Sequence, residues 1–316
     1  MISDTFKEII FQDGLFLHEI PRNILELLVY DQTSKKNIIW ANTENLSKGS
    51  NFKFNSHLNI KYFDENYSDI IISRHQKNYE DKKNRSRNNA EVYTSEKICY
   101  LQNNLIDDEW FKCKNPFDMN LDYELNEKDF EKYVLDTRLE MACGEAPYLV
   151  NRYDVVSGNF KKDIRKRNGL LDRKLLFVNK FTKSKEEWMK WTKLSYKNIY
   201  GYEFQGDSLL IARYNLLLTF LEFFYDKFKD FPLLEDIVQI CEIISWNIWQ
   251  MDGIKYVIPF SCKETKVIGW DLFGNKITEK GCEGCKNQDI RKHNGKYCKI
   301  KDWKKEKVIY FYKMVV

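Results

Sequence analysis

The sequence predicts an α/β fold built on a mostly parallel sheet. Helix-like segments alternate with short apolar runs along the chain, which is the pattern of consecutive βαβ units. Three of these runs end in a carboxylate, at Glu140, Glu203 and Asp252. Because ligands bind at the carboxyl ends of parallel strands, these three side chains mark a candidate ligand-binding edge of the sheet.

The composition indicates a globular cytoplasmic protein. The chain has 316 residues, enough for one large or two ordinary domains. Its 51 basic and 47 acidic residues leave a net charge of +4, which is too small to indicate nucleic-acid binding by itself. No apolar run is long enough for a membrane span, and the N-terminus lacks a signal pattern. The eight cysteines are therefore expected to be thiols or metal ligands rather than disulfides.

Residues 1–89 are predicted to form an N-terminal α/β extension with a charged loop. A helix pattern covers residues 20–30, and a strand candidate follows at 37–41. The tract 75–89 has almost no apolar residues, so we expect a mobile loop there. Four basic side chains in it could alternatively contact phosphates: Lys82, Lys83, Arg85 and Arg87.

The part of the chain from residue 90 to residue 260 carries the alternating pattern. Residues 208–229 place apolar side chains around much of a helix, so we expect this helix to be deeply packed, with Pro232 ending it. The other predicted elements are an extended piece at 90–95, a helix at 96–105, a helix running into a strand at 127–138, a helix that starts at Ser184, a helix at 234–247 and a strand at 248–253.

The segment 139–149 combines a carboxylate with a turn of small residues. Ala142, Cys143 and Gly144 would let the backbone approach a ligand closely, and Glu140 could meet an ammonium group. Glu203 could accept hydrogen bonds from two ribose hydroxyls, and Asp252 could receive an adenine amino group. Each feature also has a structural interpretation: a strand-to-helix turn, a surface carboxylate and an Asp-Gly turn.

These residues resemble the cofactor motifs of the gamma-class adenine-specific DNA methyltransferases. The first motif of that class reads approximately acid-Pro-Ala-Cys-Gly-x-Gly-x-Phe-Leu. The positions that fit it here are Glu140, Ala142, Cys143, Gly144, Tyr148 and Leu149, whereas Met141 and Ala146 depart from it. Residues 199–204 and 209–218 resemble the second motif and its helix, in which Gly-x-Glu precedes Ala-Arg-x-Asn-Leu. Upstream, Tyr93 and Thr94 match the pair that begins the class, and Ser95 replaces the usual Pro.

Residues 90–258 also resemble the restriction endonuclease subunit M group of restriction–modification proteins. The resemblance covers about half of the chain, and its motifs stand at 138–149, 169–175, 206–213 and 243–253. It implies a Rossmann-like core at residues 90–260 that binds S-adenosylmethionine. The implied cofactor-binding residues are Tyr93, Thr94, Glu140, Ala142, Cys143, Gly144, Glu203 and Asp252.

The family would methylate N6 of an adenine flipped out of duplex DNA, so DNA is the implied partner. Its catalytic motif, a polar residue followed by Pro-Pro and an aromatic residue, is missing here, since none of the five prolines adjoins another. We therefore expect the cofactor-binding part of an incomplete or split enzyme, with the catalytic and target-recognition parts either lost or carried by a second polypeptide. The alternatives are an inactive DNA-binding or regulatory subunit, with basic tracts at 77–87 and 161–167, and a methyltransferase of another substrate class.

Residues 261–316 form a Cys-rich segment that resembles a zinc knuckle. Cys282 and Cys285 have the Cys-x2-Cys spacing that brings two thiolates to one metal. Together with Cys298 and either Cys262 or His293 they would give four ligands. The alternative is a set of free thiols in a surface insertion.

Overall fold

The computed structural model describes residues 2–10, 12–63, 70–89, 91–117, 127–270 and 276–315. It is a mixed α/β structure that is 50% helical. The helices are α1 (Ile2–Ile10), α2 (Arg22–Val29), α3 (Tyr79–Asn89), α4 (Glu96–Phe111), α5 (Glu127–Leu135), α6 (Leu170–Phe181), α7 (Lys185–Lys197), α8 (Gly206–Phe228), α9 (Leu234–Asn247), α10 (Glu283–Asn287) and α11 (Tyr312–Val315). The strands are β1 (Tyr30–Asp31), β2 (Lys36–Asn37), β3 (Arg138–Met141), β4 (Ile199–Glu203), β5 (Ile248–Gln250), β6 (Thr265–Trp270), β7 (Lys276–Gly281), β8 (Lys299–Asp302) and β9 (Lys307–Tyr310).

A three-stranded parallel sheet, in the order β3-β4-β5, lies at the centre of the fold. Helices α6 and α7 connect β3 to β4, and α8 and α9 connect β4 to β5. In the register, Glu140 lies opposite Gly201, and Glu203 lies opposite Gln250. The predicted α/β class with a parallel sheet is confirmed.

Helix α8 forms the centre of the main apolar core. Its side chains are buried continuously from Gly206 to Phe224, as expected for a helix that is apolar on most sides. Among the described residues it is the one helix long and apolar enough to cross a membrane, and 94% of its apolar window is buried inside the protein. The predicted deep packing is confirmed. Apolar residues of the N-terminal extension, including Trp40 and Leu58, belong to the same core.

The other face of the sheet is covered by the C-terminal strands. Strands β8 and β9 form an antiparallel ribbon. The ring of Phe311, which follows β9, lies 5.1 Å from the ring of Trp249 and 6.1 Å from that of Tyr202. This contact forms a second, smaller apolar cluster with Met251, Ile258, Cys298 and Ile300.

The prediction of a mobile loop at residues 75–89 is wrong, because residues 79–89 form helix α3. The helix is held by ion pairs rather than by apolar packing. The side chain of Arg85 is only 1% exposed and pairs with Glu44, Glu91 and Asp207. The alternative phosphate contact by Arg85 is therefore also wrong, since its guanidinium is buried and engaged.

Candidate cofactor site and metal centre

A cavity of about 480 Å³ opens at the carboxyl ends of β3 and β4. Its volume lies within the range of small-molecule pockets. Seven of the eight predicted cofactor-binding residues line it: Tyr93, Thr94, Glu140, Ala142, Cys143, Gly144 and Glu203. Residues from three distant parts of the chain thus meet at one cavity, at the sheet edge where the sequence predicted it.

The turn after β3 brings its backbone close to the neighbouring elements. Gly144 has a φ of +53°, which a residue with a side chain adopts only at a cost. A Cβ at Gly144 would lie 3.2 Å from the ring of Tyr93. The Cys143 N–H donates to the Tyr202 carbonyl over 2.7 Å, which fixes the turn to β4. A small residue is therefore needed where the turn meets Tyr93.

Glu140 is buried in the cavity wall with one oxygen left over. Its Oε1 accepts from the backbone N–H of Tyr148 at 3.3 Å, whereas its Oε2 has no hydrogen-bond partner within the described part of the chain. Burial raises the pKa of this carboxyl well above its ordinary value, and the nearby charge of Glu203 adds to the effect. A buried oxygen without a partner favours a ligand that brings a donor or a positive charge.

Glu203 connects the two predicted motifs. Its Oε2 accepts from the Gly144 N–H at 2.9 Å, and its Oε1 accepts from the Gln205 N–H at 3.0 Å. Burial raises the pKa of Glu203 despite these hydrogen bonds, and the charge of Glu91 raises it further. Because each carboxylate oxygen can accept two hydrogen bonds, Glu203 keeps capacity for a ligand hydroxyl.

Sequence reasoning missed Glu91, Phe204 and Gln205, which also line the cavity. Glu91 pairs with Arg85 and accepts a hydrogen bond from the Gln205 side chain at 3.4 Å. These residues stand within two positions of Tyr93 and Glu203, so proximity to the motifs could have indicated them. Among the described residues, three carboxylates line the cavity: Glu91, Glu140 and Glu203.

Asp252 is not among the residues that line the cavity. Its Oδ1 accepts from the backbone N–H groups of Ile254 and Lys255, both at 3.1 Å, and it forms an ion pair with Lys255. These are the bonds of an Asp-Gly turn, the structural alternative for this residue. A role of Asp252 toward adenine stays a prediction that this geometry does not favour.

Cys262, Cys282, Cys285 and His293 form a cluster whose ligand atoms lie within 4.8 Å of one another. His293 Nδ1 lies 3.7 Å from the sulfur of Cys262, 3.7 Å from that of Cys282 and 3.5 Å from that of Cys285. Tetrahedral zinc with Zn–S and Zn–N bonds of ordinary length separates sulfur from nitrogen by about 3.6 Å. The cluster could therefore hold a metal such as zinc with little movement.

The surrounding backbone is shaped to hold these ligands. Asn294 donates its N–H to the Cys282 sulfur at 3.3 Å. Burial opposes ionisation of the Cys282 thiol, but hydrogen bonds from the backbone N–H groups of Asn294 and Cys285 outweigh it and lower the pKa to about 6. A Cβ at Gly284 would lie 2.5 Å from the backbone nitrogen of His293, so the close approach of the two ligand-bearing segments requires glycine there.

The assignment of Cys298 as a ligand is wrong. Its thiol donates to the Gln250 carbonyl at 3.3 Å and is completely buried in the second apolar cluster. Cys262 and His293 instead both join the two knuckle cysteines. Cys262 reaches them because the β6–β7 pairing places Thr265 opposite Gly281, directly before Cys282.

Comparison with known proteins does not identify the chain. No family model, curated protein or solved structure matches it. Its function must therefore be inferred from the chemistry of the cavity and of the Cys/His cluster.

Proposed function

We propose that this chain is the S-adenosylmethionine-binding part of an adenine-specific DNA methyltransferase of a restriction–modification system. The observation that carries the proposal is the convergence of three carboxylates on one cavity, with Glu140 Oε2 left without a hydrogen-bond partner in the described residues. S-Adenosylmethionine brings two positive groups, a sulfonium and an ammonium. A cavity lined by Glu91, Glu140 and Glu203 complements such a ligand electrostatically.

The residues present fit the parts of this cofactor. An ammonium group could satisfy the orphan oxygen of Glu140 and restore its ionised form. Glu203 could accept from the ribose hydroxyls, as the acidic residue at the end of the second strand does in dinucleotide-binding folds. The left-handed turn at Gly144 keeps the backbone free of side-chain bulk at the cavity wall.

The topology of the sheet supports a Rossmann-like core. Doubly wound folds combine two βαβαβ halves, and within one half consecutive strands lie side by side. Strands β3, β4 and β5 have this arrangement, with helical crossovers between them. The cavity lies at the carboxyl ends of the strands, where such folds bind their ligands.

The residues of this chain would bind and orient the cofactor, and no residue of it is assigned to the transfer step. The cofactor supplies the activated methyl group. The target adenine would be received by the Pro-Pro motif of the family, which is missing from the sequence. We therefore propose that the catalytic and target-recognition parts lie outside residues 1–316, for example on a second polypeptide.

Isothermal calorimetry with S-adenosylmethionine tests cofactor binding directly. We expect the wild-type chain to bind, and Glu140→Gln to bind about tenfold or more weakly, because a hydrogen bond to a charged group is lost. Glu131→Gln, an exposed site on α5, is the matched control and should bind like wild type. A folded wild-type chain that gives no binding heat at millimolar cofactor would overturn the proposal.

The alternative of an inactive DNA-binding subunit has lost part of its support. It relied on two basic tracts, and in the first of them Arg85 is buried among carboxylates. In the second, Arg167 is buried and pairs with Glu222, while Arg165 pairs with Asp163. Cofactor binding that is absent while DNA binding persists would favour this alternative.

A further inference from the structure

We propose that the C-terminal module, residues 261–315, carries a surface that binds the phosphate backbone of DNA. In this proposal the Cys/His cluster maintains the conformation of that surface. The first observation is a charge asymmetry along the chain. Residues 261–316 contain 14 lysines and arginines against 7 aspartates and glutamates, a net charge of +7, whereas residues 1–260 contain 37 against 40, a net charge of −3. Such an asymmetry between two parts of one chain indicates a polyanionic partner.

A bound metal would not remove this charge. Three cysteine thiolates and a divalent ion together add one negative charge, which leaves the module near +6. The remainder of the chain is mildly acidic, so electrostatic attraction of a polyanion would be directed at the module.

The cations of the module lie on its surface. Six of them are exposed and form no ion pair within the described part of the chain: Lys263, Arg291, Lys296, Lys304, Lys307 and Lys313. Three others are paired, Lys292 with Glu283, Lys301 with Glu306 and Lys305 with Asp302. Exposed pairs of this kind contribute little and are easily exchanged for phosphate contacts.

Aromatic rings are interleaved with these cations. The ring of Tyr312 lies 4.6 Å from that of Tyr297 and 5.9 Å from that of Tyr310. The ammonium groups of Lys299 and Lys313 lie 5.3 Å and 5.7 Å from the centre of the Tyr310 ring. Tyr310 itself is 39% exposed. Rings beside lysines are the combination with which proteins stack bases and follow the backbone of a nucleic-acid strand.

The Cys/His cluster positions this surface. His293, a cluster residue, donates its backbone N–H to the Tyr297 hydroxyl at 2.9 Å, and that hydroxyl donates to the Ile290 carbonyl at 2.6 Å. The Lys296 carbonyl accepts from Ile258 at 2.8 Å, which joins the segment to the residues after β5. Loss of metal would release the loop that presents Arg291, Lys296 and Tyr297.

The module also lies next to the candidate cofactor cavity. Phe260, two residues before Cys262, places its ring 5.5 Å from that of Phe204, which lines the cavity. The residue that directly precedes the module therefore contacts the wall of the cavity. The identification of the polyanion as DNA rests on the proposed function, whereas the charge and aromatic observations do not.

Fluorescence anisotropy with a labelled duplex and a labelled single strand of the same length tests the surface. We expect the zinc-loaded chain to bind DNA with an affinity that falls as salt rises. The triple variant R291Q/K296Q/K313Q should bind at least tenfold more weakly, with a duplex salt slope reduced by about 2–3, since each lost phosphate contact removes about 0.9. Tyr310→Ser should weaken single-strand binding more than duplex binding if the ring stacks on bases.

The matched control is K132Q/K183Q/K190Q. It removes three exposed lysines: one from α5, one from the segment between α6 and α7, and one from α7. Equal loss in both triple variants, or no DNA binding by the folded, zinc-loaded chain, would overturn the proposal. Cys285→Ser should also lose DNA binding, and unchanged binding by it would refute the role of the cluster. Calorimetry on R291Q/K296Q/K313Q should give unchanged cofactor affinity, so failure of this proposal is distinguishable from failure of the cofactor proposal.

Discussion

Gly144 donates its backbone N–H to Glu203 Oε2 over 2.9 Å, and this bond joins the turn after β3 to the end of β4. The two residues stand 59 positions apart in the chain. The bond places the left-handed turn and a buried carboxylate on the same cavity wall. It therefore fixes the geometry that any ligand of the cavity would meet.

Gly144→Ala should destabilise the fold and weaken cofactor binding. Its backbone is left-handed, which costs a residue with a side chain about 1–2 kcal/mol, and the new Cβ would press on the Tyr93 ring at 3.2 Å. Urea denaturation measures the loss of stability, and calorimetry measures the loss of affinity. A variant with unchanged stability would contradict the left-handed conformation of Gly144.

The buried carboxyl of Glu145 should make the folding stability depend on pH. Burial raises the pKa of its carboxyl from the ordinary 4.5 to about 7, although Tyr153 and the Arg74 N–H donate to it. Between these two pH values the folded chain holds a proton that the unfolded chain has lost. The free energy of unfolding should therefore fall as pH rises from about 4.5 to 7, by up to about 3 kcal/mol, and this contribution should stay lost above pH 7.

Glu145→Gln isolates that contribution, because its side chain cannot ionise. The difference in unfolding free energy between wild type and this variant should change steadily between pH 4.5 and 7 in urea titrations. A difference that is constant across this window would show that Glu145 does not titrate as described.

Substitution of the buried Arg85 should cause a large loss of folding stability. Arg85 is buried with Glu44, Glu91 and Asp207. Arg85→Met would leave Glu91 without this ion pair, and Glu44 and Asp207 would keep only their pairs with Lys77. Breaking a buried ion pair from one side costs about 3–5 kcal/mol. Arg87→Met on the same helix removes an exposed guanidinium and should cost less than about 0.5 kcal/mol. Similar losses in both variants would argue against the buried network.

The sequence predicts helix α8 but not the helix that carries Arg85. Helix α8 was predictable because its apolar residues recur with helical spacing, and a local pattern of that kind determines both the element and its burial. The tract around Arg85 has no such pattern. Its partners Glu44 and Asp207 are 41 and 122 positions away, so the reason for its helix lies in tertiary contacts that no local window contains.

The candidate site shows the same limit. The strand pattern placed Glu140 and Glu203 at one sheet edge, because the carboxyl ends of neighbouring parallel strands meet there. Thr94 lines the same cavity from a segment outside the sheet, so only its motif indicated it. Asp252 follows the same strand pattern, yet its carboxylate is satisfied by its own turn. Among the cysteines, spacing identified Cys282 and Cys285 but could not choose the remaining ligands, because that choice depends on the register of the β6–β7 hairpin.

Metal content separates the ligand cysteines from the structural one. We expect one zinc ion per chain in the wild type, measured by plasma mass spectrometry after purification with zinc. Cys285→Ser removes one of the four clustered ligands and should lose the ion, since the four ligand atoms fit one tetrahedral centre. Cys298→Ala is the matched control and should keep one ion per chain, because the Cys298 sulfur lies in the second apolar cluster and donates to the Gln250 carbonyl.

Chelation of the wild type should lower hydrogen-exchange protection in α10 and the β6–β7 hairpin while leaving α8 protected, since α8 packs in the separate main core. Loss of the ion from Cys298→Ala but not from Cys285→Ser would reverse the assignment of these two residues.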